Sequence, residues 1–152
     1  MLQTKIGTSN LLEADDINVS TAHDTNLLLT KIATGQIISS KACEDMITIM
    51  SGQTHRWGIP KLIPANVRVA NKTGTLHNIK HDCAIVCLKQ KPYAITIFTQ
   101  DLPYLSHRVL VPRISQKVYE WAFDSFTAST PYRQRGAVSE SKHGESKSFN
   151  RG

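Results

Sequence analysis

Between residues 67 and 99 three strand-like runs follow one another with only short connections between them, and nothing else in the chain restricts the fold as much. Val67 and Val69 alternate with Arg68 and Ala70 and lead into Asn71-Lys72-Thr73-Gly74-Thr75. After a short polar connection comes the apolar run at residues 83–88, which reads as a buried central strand. Lys89-Gln90-Lys91-Pro92 makes a tight turn into residues 93–99, rich in aromatic and β-branched side chains. The second and third runs therefore pair most simply as an antiparallel hairpin, and the three together make a meander.

Helices flank the meander on both sides in sequence. Thr21-Ala22-His23-Asp24 is a capping-box-like start. Leu27, Leu28 and Ile32, with the stem of Lys31, then recur at helical spacing, and Gly35 is a natural stop. Ser39 or Ser40 caps a second helix, in which Cys43, Met46, Ile47 and Met50 fall at i, i+3, i+4 and i+7. Glu44 and Asp45 sit near its positive end, and it stops at Gly52. Gly58, Pro60 and Pro64 rule out a long regular element over residues 57–64, which read as an ordered crossing loop. Past Asp101-Leu102-Pro103, a last amphipathic segment puts Val111, Ile114, Val118 and Trp121 on one stripe, with Pro112 tolerable only near its first turn. Residues 1–19 read as a loop. Residues 127–152 are polar and basic, with too little apolar matter to offset the entropy of ordering, and read as a disordered tail. The fold class is α+β.

Composition narrows the function. A chain of 152 residues, 40% hydrophobic, can bury one modest core. Half of its net charge of +6 lies in residues 127–152, and the rest is scattered without a basic helix or interleaved aromatics, which argues against nucleic acid. No stretch has the roughly 18 to 20 continuous apolar residues of a membrane span, and the N-terminus lacks the apolar run of a signal peptide. As written, the chain stays in the compartment where it is made. Cys43, Cys83 and Cys87 cannot all pair internally and read as buried thiols. His77 and His81 have the i, i+4 spacing of a metal pair on a helix, but they join two strands, so neither metal nor cofactor is expected.

Val69-Ala70-Asn71-Lys72-Thr73-Gly74-Thr75-Leu76, followed by His81-Asp82-Cys83-Ala84-Ile85-Val86, resembles the β-lactamase and penicillin-recognising serine hydrolase family. The likeness extends over residues 20–126: two capped helices precede the Lys-Thr-Gly strand, and a closing helix with Ile114-Ser115-Gln116-Lys117-Val118-Tyr119 follows it. The resemblance implies a partial β-lactamase-like fold and a β-lactam or peptide-like small molecule as ligand. It implies that Lys72 lines the site with positive charge, that Thr73 hydrogen-bonds a substrate carboxylate, and that Gly74 admits the substrate to the backbone. The Thr75 N–H would be one of two oxyanion-hole donors. Some members also use a glutamate ahead of the two helices to activate water, and Glu13 is the candidate by position.

Two motifs the family needs are missing from that region. The only Ser-x-x-Lys is Ser139-Glu140-Ser141-Lys142 and the only Ser-x-Asn is Ser148-Phe149-Asn150, both in the polar tail, where no packed helix would fix a hydroxyl against a base. The expectation is a truncated hydrolase, its nucleophile absent and inactive alone. The alternative is a non-catalytic binder or one half of a two-chain assembly, with a missing N-terminal half as partner. Relatives usually act outside the cytoplasm.

Overall fold

The computed structural model describes residues 4–6, 18–76, 78–89 and 91–128. Its core is a three-stranded antiparallel sheet of β3 (Arg68–Thr75), β4 (Ile79–Cys87) and β5 (Tyr93–Gln100), with β4 in the centre. The meander and its central strand are as the sequence predicts. The register pairs Asn71 with Ala84, Thr73 with Asp82 and His81 with Phe98.

Helices cover both faces of the sheet, which explains why residues 83–88 are apolar without alternation. On one face α1 (Ala22–Ala33) and α2 (Ser40–Ser51) bury Leu29, Ile32, Cys43 and Ile47 against Ala70 and Ile85. On the other, Val111 and Ala122 of α3 (Tyr104–Ala128), with Ile59 and Ile63, pack on Val69, Ala84, Val86 and Ile95. Ile59 belongs to a short 3-10 helix, Ile59–Leu62, inside the crossing loop.

The capping signals form as read. Thr21 accepts from the Asp24 N–H at 3.0 Å, and Ser39 accepts from the Ala42 N–H at 3.1 Å. Gly35, at φ +71°, takes the left-handed conformation that ends α1.

Several expectations need correction. In α1 the buried leucine is Leu29, while Leu27 and Leu28 are about half exposed. α2 has no acidic residue in its first turn: Glu44 pairs with Arg68 at 3.0 Å, and Asp45 pairs with Lys41. α3 begins at Tyr104, so Pro112 lies in its interior. The proline cannot donate to the Arg108 carbonyl four residues back, and the Lys61 ammonium donates to that oxygen instead at 3.4 Å. The buried stripe of α3 runs through Val111, Ser115 and Ala122, with Val118 half-buried, whereas Ile114 and Trp121 face outward. Residues 1–19 are not all loop, since β1 (Thr4–Ile6) pairs antiparallel with β2 (Asn18–Ser20). α3 reaches Ala128, past the point where the tail was expected to begin.

Candidate functional site

β3 is an edge strand among the described residues, so one row of its backbone N–H and C=O groups has no ladder partner. Lys72, Gly74 and Thr75 are exposed on that edge and Thr73 is half-exposed. Side chains alternate across a strand, so Lys72 and Gly74 belong to the face of Ala70, toward α1 and α2. Thr73 and Thr75 belong to the face of Val69, toward α3. The four residues thus straddle the edge, with cationic and hydroxyl groups on opposite sides of a backbone that is open between them. The Lys72 ammonium donates to the Thr73 carbonyl at 2.5 Å.

Among the described residues nothing requires Gly74. A Cβ there would meet, among them, only the His81 Cβ, at an ordinary 3.8 Å, and its φ lies outside the left-handed region. The missing side chain leaves the edge accessible.

Directly behind this edge lies a buried polar cluster whose role the sequence did not disclose. Asp82 and Asn71 are diagonal neighbours on the α3 face, and both are buried. The Asn71 Nδ2 donates to Asp82 Oδ1 at 3.2 Å and to the His55 carbonyl at 3.3 Å. Asp82 Oδ2 accepts from the Ile59 N–H at 2.7 Å, and the Ile59 carbonyl accepts from the buried Ser115 hydroxyl at 3.0 Å. A single line of hydrogen bonds thus ties β3 to β4, β4 to the crossing loop, and that loop to α3. Gly58 is indispensable to it, because a Cβ there would lie 2.3 Å from Asp82 Oδ2. Burial pushes the Asp82 carboxyl up to about 6, against the opposing pull of the Ile59 N–H, the Asn71 amide, the Cys83 N–H and the Lys72 charge. The available signal was a carboxylate at the head of an apolar strand, which has to be neutral or supplied with donors.

The other candidate groups have structural surroundings. His81 stacks on Phe98 with ring centres 4.0 Å apart, and its Nδ1 accepts from the Thr99 N–H at 3.2 Å. Burial lowers its pKa, so the ring is a neutral part of the sheet surface. Burial, followed by the Asp82 charge, pushes the Cys83 thiol up to about 11, which removes it as a thiolate nucleophile. Among the described residues no group of three His, Cys, Asp or Glu side chains could hold a metal, and no helix is long and apolar enough to cross a membrane. Glu13, His77 and the tail residues Ser139, Ser141, Lys142, Ser148 and Asn150 lie outside the described residues.

A three-layer α+β arrangement with a Lys-Thr-Gly edge strand on its central meander is of the serine β-lactamase-like class. The chain belongs to the beta-lactamase enzyme family, whose model matches residues 1–122. Solved structures share the fold. A class A beta-lactamase representative from Bacteroides cellulosilyticus aligns with a TM-score of 0.67 at 20% identity, over 80% of this chain and 49% of that one. The beta-lactamase from Sphaerobacter thermophilus gives 0.65 at 20%, over 79% and 45%. A structure of PBP-A gives 0.62 at 21%, over 71% and 41%. The chain therefore spans less than half the length of each. No curated protein sequence gives a significant match.

Proposed function

We propose that this chain provides the substrate-binding strand of a β-lactamase-type serine hydrolase acting on β-lactams or related amides, and that alone it binds such ligands without turning them over. The observation that carries this reading is the open edge at Lys72, Thr73, Gly74 and Thr75, backed by the buried Asn71, Asp82 and Ile59 cluster. Such an edge can hold an anionic amide in the manner of an added strand. Lys72 attracts its carboxylate, the Thr73 hydroxyl donates to it, and the Thr75 N–H faces the amide oxygen where negative charge develops. The described residues contain no Ser-x-x-Lys, so the acylated serine has to come from elsewhere.

A second reading, that the chain forms one half of a larger assembly whose remainder carries the nucleophile, is favoured by β5. That strand, residues 93–100, is the other edge of the sheet among the described residues, yet it contains no charged residue and no proline. Exposed edges are ordinarily protected by such residues, as β3 is by Arg68 and Lys72.

A fluorescent penicillin distinguishes the possibilities. The 152-residue chain should show no covalent label, whether wild type, Lys72→Ala or with Ser139 and Ser141 both changed to Ala. Stoichiometric labelling that disappears with Lys72→Ala would refute the reading that the chain lacks its nucleophile, and loss with the double serine variant would locate that nucleophile in the tail.

A further inference from the structure

The connection from β3 to β4 begins directly after Thr75, so its placement governs where the Thr75 N–H lies. Thr75 pairs with Lys80 on β4, and the Leu76 N–H donates to the Ile79 carbonyl at 2.8 Å, which closes the turn. On the open side of β3 no further strand steadies this end among the described residues.

The turn is held instead from two strands away, by the residue that follows β5. The Asp101 N–H donates to the Asn78 carbonyl at 2.8 Å, and the Asn78 Nδ2 donates back to Asp101 Oδ1 at 2.6 Å. The second bond ends on a carboxylate, which makes it stronger than one between neutral groups. Asp101 makes both from the left-handed conformation, at φ +56°, which residues other than glycine enter at a cost and aspartate more readily than most. That conformation alone is enough to turn the chain from β5 toward α3; the side-chain bond to Asn78 is an addition to it. Both residues are exposed, so no packing demands the pair. A reciprocal lock on a strained, exposed residue points to what it holds, and it holds the turn behind Thr75. An N–H donor serves a ligand oxygen only within about 0.5 Å of its productive place.

We propose that Asn78 and Asp101 are positioning residues for the Thr75 N–H: their reciprocal bonds fix the β3–β4 turn, and with it the donor that a β-lactam or related amide meets on the β3 edge. The inference rests on the reading of that edge as a ligand site and extends it to two residues that touch no ligand.

Anisotropy of the fluorescent penicillin, measured beside amide exchange of Leu76 and urea unfolding of the full chain, tests this. Asn78→Asp sets two carboxylates against each other. It should weaken binding about tenfold, the value of one hydrogen bond, and speed Leu76 exchange without a matching fall in the urea midpoint. Adding Asp101→Asn to it restores a donor and an acceptor in reversed direction, at a residue type that also tolerates the left-handed region, and should recover both losses. Asp101→Gly keeps the conformation without the side chain and should behave as Asn78→Asp does. Unchanged Leu76 exchange, full affinity in spite of faster exchange, affinity that merely follows the urea midpoint, or a double variant no better than Asn78→Asp would each overturn the proposal while leaving the edge a ligand site. A wild-type chain that binds no penicillin would remove the reading of the edge and the proposal with it.

Discussion

A carboxyl group with none of its surface in water must be neutral or surrounded by donors, and Asp82 is intermediate between the two. Its pKa of about 6 lies above the unfolded value of 3.8, so folding favours the protonated form. The associated stability is full below about pH 4 and is lost as pH rises through 6. A difference of that size corresponds to roughly 3 kcal/mol. When protonated, Asp82 can donate to the Asn71 Oδ1, which is buried without a partner among the described residues, once that amide turns over and releases the His55 carbonyl. Asp82→Asn imitates the neutral form: its carbonyl can accept from Ile59 while its amide serves Asn71. Urea titrations of both proteins should therefore show the variant gaining on the wild type between pH 4 and 6.5 and levelling off above. The comparison matters because His81, with its lowered pKa, contributes in the opposite sense, losing stability as pH falls through 6.5. A pH-independent difference would mean that Asp82 is charged throughout. Gly58→Ala attacks the same cluster, since its Cβ would displace the carboxylate from the Ile59 N–H. The expected cost is about 2 to 4 kcal/mol in the same titrations.

Among the elements, the strands and caps were legible because their signals are local: Thr21 and Ser39 have only to reach an N–H three residues on. The face that a helix buries is not local. In α3 the stripe through Ile114 and Trp121 and the stripe through Ser115 and Ala122 both satisfy helical spacing, and hydrophobicity favoured the former. The fold uses the latter because Ser115 is small enough to lie under the crossing loop and its hydroxyl satisfies the Ile59 carbonyl. In the same way Pro112 is read from sequence as a start signal, and only the tertiary arrival of Lys61 explains an interior proline. The corrected face makes a prediction that hydrophobicity alone would reverse. Ser115→Ala should cost about 1 to 2 kcal/mol by removing a buried hydroxyl hydrogen bond to the Ile59 carbonyl, whereas Ile114→Ala should change the stability by no more than about 0.5 kcal/mol. Thermal melts at low protein concentration decide it, and the opposite order would restore the sequence-based stripe.

For the molecule as a whole, β4 is the shared wall of two cores. Ile85 faces Leu29, Ile32, Cys43 and Ile47, while its neighbours Ala84 and Val86 face Ile59, Val111 and Ala122. This sharing is why the site was only partly legible. The Lys-Thr-Gly edge is visible as a motif, but its support at Asp82, Gly58 and Ser115 comes from three elements far apart in sequence, and no periodicity links them. It also determines how the chain unfolds. Had each helical layer its own sheet, one could melt while the other survived; with a single central strand between them, losing either exposes the apolar side of β4 and removes the packing of the other. Ile85→Ala should cost about 2 to 5 kcal/mol, as expected for a fully buried isoleucine. More diagnostically, the cost should appear equally in amide exchange from α1, which Ile85 faces, and from α3, which it does not touch. Protection lost in α1 alone would mean that the two cores are separate cooperative units joined only by covalent chain. Equal loss would mean that the support behind Lys72 is as stable as the whole fold, which is what a strand held rigid for a ligand requires.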